Sequence, residues 1–182
     1  ADLTDLVSTI DFDGNPGEVR IAVYEPDGTV TTAAAAEGLP AGDEPSVDDL
    51  FRVGSITKIF TATLVLTLVA EGSVDLDAPA ADYITRLPIP NDITVRQLLN
   101  HTSGLPEYVN YGALQDQVMG DPGRIWSPEE IWSLIADKPV GDPGESFEYA
   151  STNYIALGVL IEEVTGESYA DVLSERILQP LN

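Results

Sequence analysis

Ser55-Ile56-Thr57-Lys58 sets a hydroxyl and an amine three residues apart. On a helix that spacing stacks both groups on one face, within reach of each other. A neutral amine in that position can take the hydroxyl proton, leaving an oxygen nucleophile able to attack a carbonyl, the first step of acyl transfer. Burial beside apolar neighbours, here Ile59, Phe60 and Leu64, is a general means of keeping an amine neutral. If Ser55 opens the helix, the positive end of the helix dipole also favours an oxyanion developing beside it. The same four residues also read as a serine N-cap followed by a solvent-facing lysine, and spacing alone leaves both readings open.

Other chemistry-bearing residues point elsewhere. His101 is the single histidine, and a Ser-His-Asp reading is disfavoured because no Gly-x-Ser-x-Gly elbow sets a serine on a strained strand-to-helix turn. Asn100-His101-Thr102-Ser103-Gly104 reads instead as a loop histidine bonding backbone groups at a tight turn. Asp75, Asp77 and Asp82 lack the glycine and spacing of a calcium loop and read as a solvated acidic loop. With no cysteine, disulfides, thiol catalysis and cysteine metal sites are excluded, and with one histidine no structural zinc site is expected. No metal and no cofactor is called for.

The elements that must position these groups follow from periodicity. Residues 18–25 alternate in the manner of a strand, Pro26-Asp27-Gly28 marks a turn, and Thr29 to Ala36 forms a second β-rich run, so a hairpin is expected. A Gly/Pro/Asp-rich loop over 38–49 precedes a helix from Ser55 to about Glu71, stopped by Gly72. Thr94 to Asn100 reads as a short helix. Ser127-Pro128-Glu129-Glu130 is an N-cap, a proline at the first helical position and an acidic first turn. Thr152 to Thr165 is apolar on a helical period and ends at Gly166, and Tyr169 to Ile177 forms a last helix. Strands first and helices after predict an α+β fold, with 1–50 as hairpin and loop and 51–182 as a helical region. A lone hairpin is marginally stable and wants partner strands, which the sequence does not contain.

The charge balance narrows the partners. Against 8 basic residues stand 31 acidic ones, for a net charge of −23 over 182 residues. Such a field repels nucleic acid and anionic lipid surfaces. It fits a solubilising surface, or a surface adapted to high salt, the second reading favoured by the presence of only two lysines, Lys58 and Lys138. No apolar run is long enough to span a bilayer, so the chain is not expected to be membrane-spanning. The first residues carry neither a basic nor an apolar targeting pattern.

Context adds to the spacing. Phe51-Arg52-Val53-Gly54-Ser55-Ile56-Thr57-Lys58 resembles the active-serine block of the penicillin-binding proteins, class C-like serine β-lactamases, D,D-peptidases, D-amino-acid-specific peptidases and related carboxylesterases. Val74-Asp75-Leu76-Asp77 with Ala78-Pro79, the block Ile93 to Pro106 containing Leu98-Leu99-Asn100-His101-Thr102-Ser103-Gly104-Leu105, Phe147 to Tyr154, and Arg176 to Leu181 resemble further blocks of that superfamily in the same order. The resemblance implies a β-lactamase/transpeptidase-like fold of which residues 1–182 are the N-terminal portion. It implies Ser55 as the acylated nucleophile, Lys58 as its base and Tyr149 as a phenol relaying protons to the leaving group. A phenol beside a cationic lysine becomes a better acid and base at neutral pH, which suits that role.

One position departs from the pattern. The second motif is usually Tyr-x-Asn, whose amide binds the lysine and the substrate, whereas Ser151 stands third here and takes a substrate-binding role with one hydroxyl; Asn153 is expected to face elsewhere. An amide or lactam gains more from that contact than an ester, so D,D-peptidase, β-lactamase and esterase all remain expectations for a small-molecule or peptide substrate. A third motif, Lys-Thr-Gly or His-x-Gly on a late strand, is expected to complete the oxyanion hole, and none follows Ser151. Loss of one oxyanion donor costs about 100- to 1,000-fold in rate. A complementary C-terminal polypeptide is therefore expected to supply that strand and the absent sheet partners. The alternative from another class is a non-catalytic relative kept for binding or assembly, or an inactive fragment. The resemblance implies an extracytoplasmic or secreted location, while the composition equally fits a halophile cytoplasm.

Overall fold

Alternation in residues 18–23 produces a strand, and Gly28 lets the chain reverse. In this computed structural model, residues 2–39, 46, 48–110, 120, 121, 123–136, 138 and 140–181 are described. The loop expected over 38–49 lies outside them at 40–45 and 47. The chain divides into two compact units, Ala1–Arg52 and Val53–Asn182.

In the first unit a short helix α1, Leu3–Val7, is capped by the Asp2 side chain on the Thr4 amide. Strands β1, Gly17–Tyr24, and β2, Val30–Glu37, pair antiparallel, with Gly17 opposite Glu37 and Tyr24 opposite Val30. At the turn the Gly28 amide donates to the Glu25 carbonyl at 2.9 Å with Gly28 at φ +87°, a conformation a side chain would strain. Among the described residues the sheet has these two strands alone. Arg20 braces the unit through the carboxylates of Glu18 and Asp49 at 2.7 and 2.8 Å.

In the second unit helix α2, Thr57–Ala70, buries Leu64, Val65 and Leu68. It ends where Gly72 takes φ +77°. The chain then runs antiparallel to the lead into α3, Val95–Leu99: the Ala80 amide meets the Ile93 carbonyl at 2.8 Å and the Arg96 amide meets the Leu76 carbonyl at 2.8 Å. Thr94 caps α3 in a reciprocal capping box with Gln97, and Ser127 does the same with Glu130 for α4, Pro128–Ser133. At the centre lies α5, Ser151–Thr165, with Ala156, Leu157, Val159, Leu160 and Ile161 all buried, closed by Gly166 in the left-handed conformation. Each fully buried leucine here contributes roughly 2–3 kcal/mol of transfer free energy. α2 and α3 both pack on α5, so the helix carrying the serine and the helix following the tyrosine share one core.

The last helix differs from expectation. It is α-helical as α6, Tyr169–Leu173, then widens into a π-turn over Ser174–Leu178 before Gln179–Leu181. Pro180 lacks the N–H that an unbroken α-helical ladder requires, and a widened turn accommodates that loss. Among the described residues no helix is long and apolar enough to cross a membrane.

Candidate active site

Gly54, at φ +53°, turns the chain into a 3₁₀ turn over Gly54–Ile56 that runs directly into α2. Ser55 thus lies inside the first turn instead of capping it, and its hydroxyl is free for other partners. The Lys58 Nζ lies 3.1 Å from the Ser55 Oγ. The solvent-facing alternative for the lysine is therefore not what the fold adopts. Its surroundings also differ from the expected apolar pocket. Ile59 is 66% exposed, and the amine is instead flanked by the rings of Tyr149 and Tyr154, 5.0 and 5.6 Å from their centroids, and by the Ser151 Oγ at 3.4 Å.

The Tyr149 phenol donates to the Ser55 Oγ at 2.9 Å across 94 residues of sequence. Its ring is 47% exposed, so the hydroxyl is reachable from solvent. The Lys58 amine, and after it the Ser55 hydroxyl, hold this phenol below the ordinary tyrosine range. Beneath it lies His101, a buried residue at φ +59°, stacked on the Tyr149 ring with centroids 4.5 Å apart. Burial, and then the charge on Lys58, push the imidazole below its usual value. Its Nδ1 accepts from the Ala150 amide at 3.2 Å, as a loop histidine bonded to backbone should.

Ser151 opens α5, and its side chain faces Lys58 while its amide donates to the Glu107 carboxylate at 2.7 Å. Asn153 points away from the serine into the core, its Oδ1 accepting from the Ser103 hydroxyl at 2.5 Å. Glu107 was not signalled by any local pattern: α5 has no capping side chain at Ala150, and the cap arrives from a loop 44 residues earlier. A Glu following Leu105-Pro106, with an unfilled N-cap downstream, is the one trace it leaves in sequence.

Ser55, Lys58 and Ser151 line a groove of about 570 Å³, whose walls also include Tyr108, Tyr154 and Tyr169. That volume lies within the range of about 300–1,000 Å³ that holds small molecules. Among the described residues no group of His, Cys, Asp or Glu is arranged to hold a metal. Of the acidic loop, Asp77 is not simply solvated but clasps Arg96 at 2.7 and 2.9 Å. A hydroxyl that lines a groove and faces both an amine and an acidified phenol is equipped to be deprotonated, to attack a carbonyl, and to have a proton returned to whatever leaves.

The model of the family described as Beta-lactamase matches residues 5–182. The chain is 30% identical over 136 residues to penicillin-binding protein 4* of Bacillus subtilis (strain 168), covering 73% of this chain and 29% of that protein. Among solved structures it superposes on a D-stereospecific amidohydrolase from Streptomyces sp. with a TM-score of 0.77 and 35% identity, covering 99% of this chain and 52% of that one. It superposes equally on the D-amino acid amidase of Ochrobactrum anthropi SV3, with a TM-score of 0.76, 32% identity and coverage of 99% and 51%. The chain thus spans about a third of the length of the curated relatives and about half that of the solved structures.

Proposed function

Since this chain belongs to the beta-lactamase family, a superfamily of serine hydrolases, we propose that it carries the acylating half of such an enzyme, with Ser55 as nucleophile. The observation that carries this reading is the pair of contacts on the Ser55 Oγ, 3.1 Å from the Lys58 Nζ and 2.9 Å from the Tyr149 Oη. Lys58 in its neutral form, or the Tyr149 phenolate, takes the serine proton as Oγ bonds to the substrate carbonyl carbon. The Ser55 amide, in the first turn of the helix, supplies one oxyanion donor. The carbon–nitrogen or carbon–oxygen bond then breaks, and Tyr149 delivers the proton to the departing amine or alcohol. Water attacks the acyl ester in turn, releasing the acid and restoring the serine hydroxyl. Ser151, 3.4 Å from Lys58, serves the amine and the substrate together.

For the substrate we favour an amide of a D-amino acid. Two of the most similar solved structures are a D-stereospecific amidohydrolase and a D-amino acid amidase, and the groove is of small-molecule size. The partner is a complementary C-terminal polypeptide. Supporting it are the coverage of about half of those structures, a sheet of two described strands, and the exposed Ile56, Ile59 and Leu66 along one side of the serine helix.

The test is covalent labelling with a fluorescent fluorophosphonate. Labelling lost in Ser55→Ala and kept in Ser103→Ala supports the assignment; labelling unaffected by Ser55→Ala refutes it. Turnover of a D-phenylalanyl anilide above its L-isomer, a chromogenic cephalosporin and a short p-nitrophenyl ester supports the amide reading, and the reverse order refutes it.

A further inference from the structure

His101 grips three consecutive residues around the phenol. Its carbonyl accepts from the Glu148 amide at 2.9 Å, its ring stacks on Tyr149 at 4.5 Å, and its Nδ1 accepts from the Ala150 amide at 3.2 Å. The Asn153 Nδ2 also lies 3.2 Å from that Nδ1. Phe147 meets the ring edge-on at 5.9 Å. The residue achieves this at φ +59°, a conformation uncommon for a residue with a side chain.

We propose that neutral His101 is the positioning residue of Tyr149, and that acylation of Ser55 is switched off when this imidazole takes a proton. The inference rests on the reading of Tyr149 as the proton relay. Its logic is the polarity of Nδ1. Two N–H donors point at it, so only the form with a lone pair on Nδ1 satisfies them. An imidazolium would set a third N–H against both donors, releasing Ala150 and Asn153 and with them the segment that holds the phenol over Ser55. The charged groups facing the ring are Lys58 from α2 and Glu107 from the loop after α3, with the Tyr149 ring stacked on it and the Tyr154 ring of α5 tilted against it. Burial and Lys58 disfavour the cation, Glu107 opposes them, and the balance lies with the neutral ring. The switch therefore operates on the acid side of the ordinary histidine range, with activity falling as pH falls.

His101 is the only histidine in these 182 residues, so its ring ¹⁵N signals are identified by their loss in His101→Asn. The experiment follows two readouts in the full chain from pH 5 to pH 9: the His101 ring titration by NMR and the rate of fluorophosphonate labelling of Ser55. A step in labelling at the His101 midpoint is the expected result. His101→Asn, which tolerates the left-handed conformation and cannot titrate, should label about 10- to 100-fold more slowly at neutral pH and lack the step. A wild-type labelling profile that passes through the His101 midpoint without a step overturns the proposal, whether or not the variant folds. So does an unchanged rate and step in a folded His101→Asn. A protein not labelled at Ser55 at any pH brings down the nucleophile assignment and this inference with it, whereas Ser55-dependent labelling without the step removes this inference alone.

Discussion

The Glu107 carboxylate caps α5 from outside the helix, accepting from the Ser151 amide at 2.7 Å while its other oxygen accepts from the Val109 amide at 3.1 Å. A single loop side chain thereby orients the first residue of α5, whose hydroxyl faces Lys58. Loss of a capping group costs about 0.5–2 kcal/mol. Glu107→Ala should thus lower the melting temperature by a few degrees, and the labelling rate should fall further than the stability loss explains. Glu107→Gln, which keeps an acceptor, should recover most of both. Thermal melts and labelling rates on the two variants check this.

Tyr149 should ionise more readily than Tyr108 or Tyr154. The Lys58 amine is the larger cause of its depressed value and the Ser55 hydroxyl the next, whereas burial pushes Tyr108 and Tyr154 the other way. In an ultraviolet titration Tyr149 should ionise below the ordinary 10.0. That transition should vanish in Tyr149→Phe, and it should move upward more in Lys58→Met than in Ser55→Ala. Because the phenolate is the basic form, the labelling rate should climb with pH through the same transition, and Tyr149→Phe should reduce it about 100- to 10,000-fold. A transition that stays in place in Lys58→Met would contradict this account.

These contacts explain what could be read before the fold was known. Ser55 and Lys58 are three residues apart, and helical geometry brings them within reach while leaving the solvent-facing lysine equally open. The caps at Thr94 and Ser127 and the stop at Gly166 are equally local, and all three helix ends fall there. Nothing in spacing links Ser55 to Tyr149, 94 residues away; that pairing was visible only through the resemblance of whole blocks. That His101 bonds backbone was legible, but its partners Tyr149 and Ala150 and the Glu107 cap were not, since each depends on a loop returning to a distant segment. The 3₁₀ entry into α2 and the π-turn before Pro180 escaped because pattern marks helix, not its pitch.

Asn153 should matter for stability more than for chemistry. It is fully buried on α5, takes the Ser103 hydroxyl at 2.5 Å and approaches His101 at 3.2 Å. Asn153→Ala strands the Ser103 hydroxyl in the core, where an unpaired polar group costs about 1–3 kcal/mol on top of the vacated volume. Ser103→Ala, which removes the hydroxyl itself and leaves an amide oxygen unpaired, should cost about 1–2 kcal/mol. Urea unfolding midpoints should rank wild type above Ser103→Ala and Ser103→Ala above Asn153→Ala.

Glu163 offers a stability effect whose pH dependence has a defined sign. Its carboxylate, partly buried on α5, accepts from the Thr85 amide at 3.0 Å, the Thr85 hydroxyl at 2.6 Å and the Arg86 amide at 3.2 Å, pinning the turn that follows Ile84. Burial works against the charged form, but the hydrogen bonds from Thr85 and Arg86 outweigh it and hold the carboxyl below its ordinary 4.5. A group whose value is depressed by folding contributes stability above the unfolded value and loses it as pH falls through the folded one. Wild type should therefore exceed Glu163→Gln by about 1–2 kcal/mol at pH 7, the worth of charge-assisted over neutral hydrogen bonds, and the gap should close below about pH 4.5. The difference between the two proteins isolates Glu163, because the shared decline from protonating His101 on the acid side of 6.5 cancels. Paired urea titrations at pH 7, 5 and 3.5 check it, and a gap that widens with acid would show that the carboxylate is not what pins the turn.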